Sequence, residues 1–268
     1  MISVETEDGT TVIAHSEGNG PAILIIHPGS DDGTSWTLVA EHLAARFRPV
    51  RILRRQYRLD LPTDTGFSMA QEVADVVALA AALTKPTLIV GHSSGAVVGL
   101  EALVARPDLF LGAVLYDQPA TIERGLWDEP LERATAAIAA GRPGQAMTIF
   151  ARDVVRTPVW LARVGGAMVG LREKYRIMAP RQIFDVKAIN DLGVRLNEYA
   201  RITTPTILFT GERSPSHLGE RIDALAAIMP VAEKVVLPGK GHSAHKTASR
   251  DVAETISQFF DRLIAGGV

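Results

Sequence analysis

The feature that most constrains this chain is Gly91-His92-Ser93-Ser94-Gly95, set between a short apolar run at 88–90 and a stretch of helical character that starts near Ser94. That is a strand, a sharp turn and a helix, with a serine at the apex. Such a turn holds the serine in a strained backbone conformation, and it needs small neighbours, because a Cβ at Gly91 or Gly95 would collide with the adjoining strand or helix. A helix that begins beneath the serine directs its N-terminal partial charge toward a developing anion. On its own the pentapeptide also fits a glycine-rich turn that caps a buried strand. The strand before it and the helix after it favour a nucleophile elbow.

The rest of the chain alternates short apolar runs with helical patterns. Residues 2–6 and 11–15 alternate apolar and polar side chains around Asp8-Gly9, which predicts a hairpin. Residues 22–26 and 111–116 are continuous apolar runs, as in strands covered on both faces. Further strands are expected at 49–53, 205–210 and 234–237. Helices are expected at 35–46, from the capping box Ser68…Gln71 onward, at 218–229, and over a last stretch with Val252, Ile256, Phe259 and Leu263 on one face. Alternating βα units imply an α/β fold, a mainly parallel sheet with helices on both faces. Ligands bind beyond the carboxyl ends of such strands, and His27, Ser93, Asp117, Glu212 and His242 all fall just past an expected strand end.

Between 121 and 202 the alternation stops. The segment reads as helical, with helices expected at 129–140, 145–155 and 181–191, and it is too long for one αβ connection. It is therefore read as a cap inserted into a core made of residues 1–120 and 203–268. Its apolar side chains, among them Ile149, Phe150, Trp160, Leu161, Met168, Val169, Tyr175 and Met178, are expected mostly to pack the cap helices, with some lining a pocket.

Composition narrows the chemistry. The chain has 268 residues, a formal net charge of −2 and no cysteine. Disulfides, thiolate metal sites and a cysteine nucleophile are excluded, and no basic field recruits nucleic acid or an anionic membrane. The acidic start lacks the apolar segment of a signal peptide, so a cytoplasmic protein acting on a small molecule is expected.

A serine hydroxyl needs a base, an orienter for that base, and donors for an oxyanion. His242, in Gly239-Lys240-Gly241-His242, is the expected base, with His245 as rival. The pair His242…His245 lacks the companions of a zinc site, so no metal and no cofactor are called for. One oxyanion amide is expected from Ser94. The second comes from the loop after the 22–26 strand, where Pro28 has no N–H and Gly29 is the candidate ahead of Ser30. Arg54-Arg55-Gln56-Tyr57-Arg58 reads as a solvated loop, with an anion-binding stretch as the alternative.

With these residues in view, the chain resembles the α/β-hydrolase superfamily over essentially its whole length. His27-Pro28-Gly29 resembles the oxyanion loop, the 91–95 turn the elbow, and 239–242 the histidine loop. The 121–202 insert falls where the lid usually stands. Two departures stand out. Pro28 replaces a glycine, and Gly211-Glu212-Arg213-Ser214 carries serine where the resemblance implies an aspartate. The orienting carboxylate is then expected to be Asp117, at the end of the strand after the elbow helix, with Glu212 as the alternative acid. The resulting expectation is a Ser93–His242–Asp117 hydrolase of a medium-sized hydrophobic ester or lactone. C–C bond hydrolysis or perhydrolysis on the same residues stays open, as does a small-ligand binding protein on a hydrolase scaffold.

Overall fold

The computed structural model describes residues 1–62, 67–83, 86–125 and 127–266; the other positions of the expected core and insertion lie outside the described residues. Strands β1 (Ile2–Glu5) and β2 (Thr11–Ser16) form the expected hairpin around Asp8-Gly9. Strands β3 (Ala22–Ile26), β4 (Arg48–Leu53), β5 (Thr87–His92), β6 (Phe110–Tyr116), β7 (Thr206–Gly211) and β8 (Ala232–Leu237) run parallel to one another. Among the described residues, the eight strands make one sheet in the order β1-β2-β4-β3-β5-β6-β7-β8, with β1 and β2 antiparallel at the edge.

The period of two in a strand sorts the core into two layers. Leu24, Ile26, Val50, Ile52 and Ile89 face the layer built with helices α2 (Met69–Ala82) and α3 (Ser94–Ala105). Ile23, Ile25, Leu88, Val90, Ile207 and Phe209 face the opposite layer, built with α1 (Thr37–Ala44) and the last helix, Ser249–Ala265. Both faces of the central strands are dry, which explains their unbroken apolar runs. The capping box that starts α2 forms: Ser68 Oγ accepts from Gln71 N at 3.3 Å, and Gln71 Oε1 accepts from Ser68 N at 3.0 Å.

Between β6 and β7 the chain builds α4 (Asp128–Ala139), α5 (Pro143–Ile149), α6 (Val159–Leu171), α7 (Glu173–Leu192) and α8 (Leu196–Tyr199). Two features differ from the expectation. Helix α6 falls in the stretch read as helical but has no counterpart among the three helices placed there, and α7 starts at Glu173 rather than near 181. Gly165, Gly166 and Gly170 weaken helix propensity in α6, and Pro180 interrupts the α7 pattern; packing overrides both. The side chains of this segment are not mainly internal either: Trp160, Leu161, Met168 and Tyr175 are exposed, while Ile149 and Met178 are buried. After β7, α9 (Ser216–Ala226), β8, the short α10 (Ala244–Thr247) and α11 (Ser249–Ala265) complete the chain. Among the described residues, no helix is long and apolar enough to cross a membrane.

Candidate active site

The parallel strands deliver the candidate side chains to one edge of the sheet. Ser93 stands between β5 and α3 with φ 54° and ψ −126°. A Cβ at Gly91 would lie 2.5 Å from Ala96 Cα, and one at Gly95 would lie 2.6 Å from Ile26 O, so the turn admits only glycine at these positions. Among the described residues, four non-glycine residues have positive φ, and three of them, Ser30, Ser93 and Asp117, follow strands β3, β5 and β6. Backbone strain thus collects at the strand ends that make the site.

Asp117 is completely buried, and its Oδ2 lies 2.9 Å from His242 Nδ1. With the carboxylate ionised, Nδ1 carries the proton and donates it, which leaves Nε2 as the basic nitrogen. Two more donors hold the carboxylate: Thr210 Oγ1 reaches Oδ1 at 2.6 Å and Ser214 Oγ reaches Oδ2 at 2.7 Å. The histidine loop is anchored by Tyr116, whose hydroxyl donates to Gly241 O and accepts from Ala244 N at 3.2 Å. Glu212 is exposed and its carboxylate accepts from Gly239 N at 2.6 Å, a bond from the loop after β7 to the loop after β8 and not one to the ring. His245 is buried and stacks on Trp36 at 5.5 Å; its ring nitrogens have no hydrogen-bond partner among the described residues.

Ser93, Ser94 and His242 line one cavity of about 100 Å³, closed by Pro119, Trp127, Phe150, Val154, Val155, Gln182, Val186 and Ile189 from the segment between β6 and β7 and by Pro215, His217 and Leu218 from elsewhere. Among the described residues, the ring of His242 is hydrogen-bonded to Asp117, and no hydrogen bond joins it to the Ser93 hydroxyl. The lining is mostly apolar. Burial, then Arg221, lowers the His217 pKa to about 4, so this histidine is neutral near pH 7.

The Ser94 N–H opens α3, where no intrahelical acceptor exists for it. Gly29 lies in the loop after β3, packed against the Gln182 amide and 2.9 Å, at its would-be Cβ, from the Tyr57 hydroxyl. Ser30 Oγ donates to Gln182 Oε1 at 2.7 Å. The loop is fixed by His27: its Nε2 accepts from Arg54 N at 3.2 Å and its Nδ1 donates to Pro28 O at 2.8 Å. Burial, followed by the Arg54 cation, lowers its pKa to about 4, which keeps this tautomer neutral.

The arginine run corrects the sequence reading. Arg54 and Arg55 are buried and neutralised inside the protein, neither solvated nor open to an anion. Arg55 meets Asp75 and Asp8. Arg54 is 2.6 Å from Glu72 of α2 and 2.7 Å from Asp185 of α7, and its Nη1 reaches Ser94 Oγ at 2.8 Å. Burial opposes the Arg54 cation, yet the two carboxylates outweigh it and raise its pKa. One guanidinium therefore joins α2, α7 and the residue beside Ser93. Neither this network nor the roles of Trp127, Gln182 and His217 in the cavity wall had a sequence signal. All arise from contacts between residues far apart in the chain.

A profile of the family described as "Alpha/beta hydrolase family" matches residues 23–255. The chain is 24% identical over 265 residues to the 2-(acetamidomethylene)succinate hydrolase of Mesorhizobium japonicum, covering 94% of this chain and 92% of that protein. It is 25% identical over 255 residues to the pimeloyl-[acyl-carrier protein] methyl ester esterase of Xanthomonas campestris pv. campestris, covering 90% and 96%. The crystal structure of an alpha/beta hydrolase from Sphaerobacter thermophilus superposes with a TM-score of 0.79 at 24% identity, covering 94% of this chain and 99% of that one.

Proposed function

The chain belongs to the alpha/beta hydrolase family, and from that premise we propose that it cleaves carboxylic esters or lactones through Ser93, His242 and Asp117. In this reading Ser93 Oγ attacks the carbonyl carbon while His242 Nε2 takes its proton. The ionised Asp117 stabilises the imidazolium that results. The oxyanion rests on the N–H groups of Ser94 and Gly29, each worth about 3 kcal/mol of barrier in comparable sites. His242 returns the proton to the leaving oxygen, and the acyl group stays on Ser93. Water, deprotonated by the same ring, then attacks the acyl-enzyme and frees the acid. No cofactor enters any step.

The observation that carries the reading is the 2.9 Å contact between His242 Nδ1 and the fully buried Asp117, in a ring that shares its cavity with Ser93. An ester or lactone is favoured over an amide because an alkoxide leaves more easily. The methyl ester esterase named among the relatives supports the same class. Residues 121–202 act here as a cap over a core of 1–120 and 203–268. The cavity of about 100 Å³ favours a short hydrophobic acyl group, smaller than the substrate expected from the sequence, since drug-sized ligands fill roughly 300–1,000 Å³.

A fluorophosphonate probe tests the nucleophile. The wild-type protein is expected to label rapidly and Ser93→Ala not at all, and a folded wild-type protein that stays unlabelled would sink the reading in favour of a binding protein. A panel of acyl esters of graded length, with lactones, should show turnover falling as the acyl chain lengthens.

A further inference from the structure

Helix α6 is built inside out. Among the described residues, fourteen large apolar side chains are exposed, and eight of them lie within residues 159–177. Trp160, Leu161, Val164, Met168 and Leu171 recur at i, i+1, i+4, i+8 and i+11, so they share one side of the helix. That side faces solvent: Trp160 is 68% and Leu171 83% exposed. The side that docks on the protein carries Ala162 and Gly166, and a Cβ at Gly166 would run into Thr148 and Gly144 of α5. The small residues point in and the large ones out, the reverse of an ordinary surface helix.

The patch is also cationic. Arg163, Arg172, Lys174 and Arg176 are exposed in the same span, against the single carboxylate of Glu173, in a chain whose formal net charge is −2. Lys174 has a loose pairing with Asp32 at 3.7 Å. An apolar helix face flanked by three arginines and a lysine, with a tryptophan in it, matches the interfacial plane of an anionic bilayer, where apolar groups enter the acyl boundary and cations stay with the headgroups. A second copy would set the same cations against one another.

The net charge of −2 gave no reason to expect a membrane partner, but it averages over the whole chain and conceals this local cluster; we propose that this face of α6 docks the insertion onto an anionic phospholipid surface. The patch adjoins a crevice of about 820 Å³ that α7 lines with Lys174, Ile177 and Met178 and the core with Leu53, Tyr57 and Leu59. Tyr57, in the crevice wall, lies 3.3 Å from Gln182, which lines the cavity around Ser93. Docking brings that crevice to the surface where apolar small molecules concentrate. The docking stands on the patch alone and does not require the ester reading.

Trp160 is the probe. Trp36 and Trp127 are 1% and 4% exposed, so a shift in tryptophan emission on binding reports the patch. Vesicles of mixed phosphatidylglycerol and phosphatidylcholine should shift the emission to the blue and carry the protein down on sedimentation; pure phosphatidylcholine should do so at least tenfold more weakly. The double variant Val164→Asp, Leu171→Asp keeps Trp160. It should bind the mixed vesicles at least tenfold more weakly while hydrolysing a water-soluble ester at the wild-type rate. Equal binding to both vesicle types, no binding to either, or binding that survives the double variant overturns the proposal. So does a dimer in sedimentation velocity that the double variant dissolves, which assigns the face to a second copy.

Discussion

Ser214 Oγ donates to Asp117 Oδ2 at 2.7 Å, and the same oxygen lies 2.9 Å from His242 Nδ1. Ser214 stands at the strand end where the resemblance places a carboxylate. Here the carboxylate arrives from β6, which pairs directly with β7 through Tyr116 and Phe209. A shift of one strand is short enough for Ser214 to donate a hydrogen bond to a carboxylate instead of supplying one. Its oxygen also accepts from Gly211 N at 3.2 Å, so the hydroxyl proton is directed at Asp117.

Asp117→Asn should leave the fold intact and lower kcat by about three to four orders of magnitude, because an amide in that place favours the wrong imidazole tautomer. Glu212→Gln, at an exposed carboxylate bonded to Gly239 N, should stay within about twofold of wild type. Steady-state kinetics on one ester, with circular dichroism as the folding control, decides between the two acids. A large loss in Glu212→Gln alone would reassign the orienter.

Ser214→Ala removes one of the donors to Asp117. A neutral donor to a charged acceptor is worth about 1.5 kcal/mol, so kcat should fall by roughly tenfold with KM unchanged. If KM rises and kcat holds, Ser214 shapes the cavity and not the carboxylate.

Stability should decline as pH falls from about 6.5 toward 4. Burial lowers the pKa of His27, His217 and His245 to about 4 and that of His92 well below its ordinary value. Above the ordinary histidine value both folded and unfolded states hold these rings neutral. Below it the unfolded chain binds protons that the folded protein refuses, and each ring then costs up to about 1.4 kcal/mol per pH unit until the folded value is reached. Urea unfolding at pH 7 and at pH 5 measures the loss. Replacing His245, which stacks on Trp36, with phenylalanine should make the slope shallower.

Asp185→Ala should destabilise the protein by about 3 kcal/mol, since it leaves Arg54 buried with Glu72 alone. The change lies in α7, yet Arg54 also reaches Ser94 Oγ at 2.8 Å. Activity should therefore fall along with the urea midpoint. An unchanged midpoint would mean that water replaces the carboxylate.

The sequence was most informative where the physics is local. The unbroken apolar run of β3, the hairpin at Asp8-Gly9, the capping box at Ser68 and the glycines around Ser93 each depend on residues within a few positions of one another. The pattern of β and α units then fixed a parallel sheet, and with it the edge that carries Ser93, Asp117 and His242. Between β6 and β7 the same reasoning was weaker. Gly165, Gly166 and Pro180 lower helix propensity there, and packing on α5 overrides it.

By itself, then, the chain specified its strands, its elbow and the loops that could meet at one edge, because backbone sterics and apolar periodicity act between near neighbours. Only the folded protein decided that Asp117 and not Glu212 lies against the His242 ring, that Arg54 is enclosed by Glu72 and Asp185, and that Trp160 and Leu171 face outward. Those outcomes depend on which distant groups are brought within a few ångströms, and on which are then taken out of water. Neither is written in the order of residues along the chain.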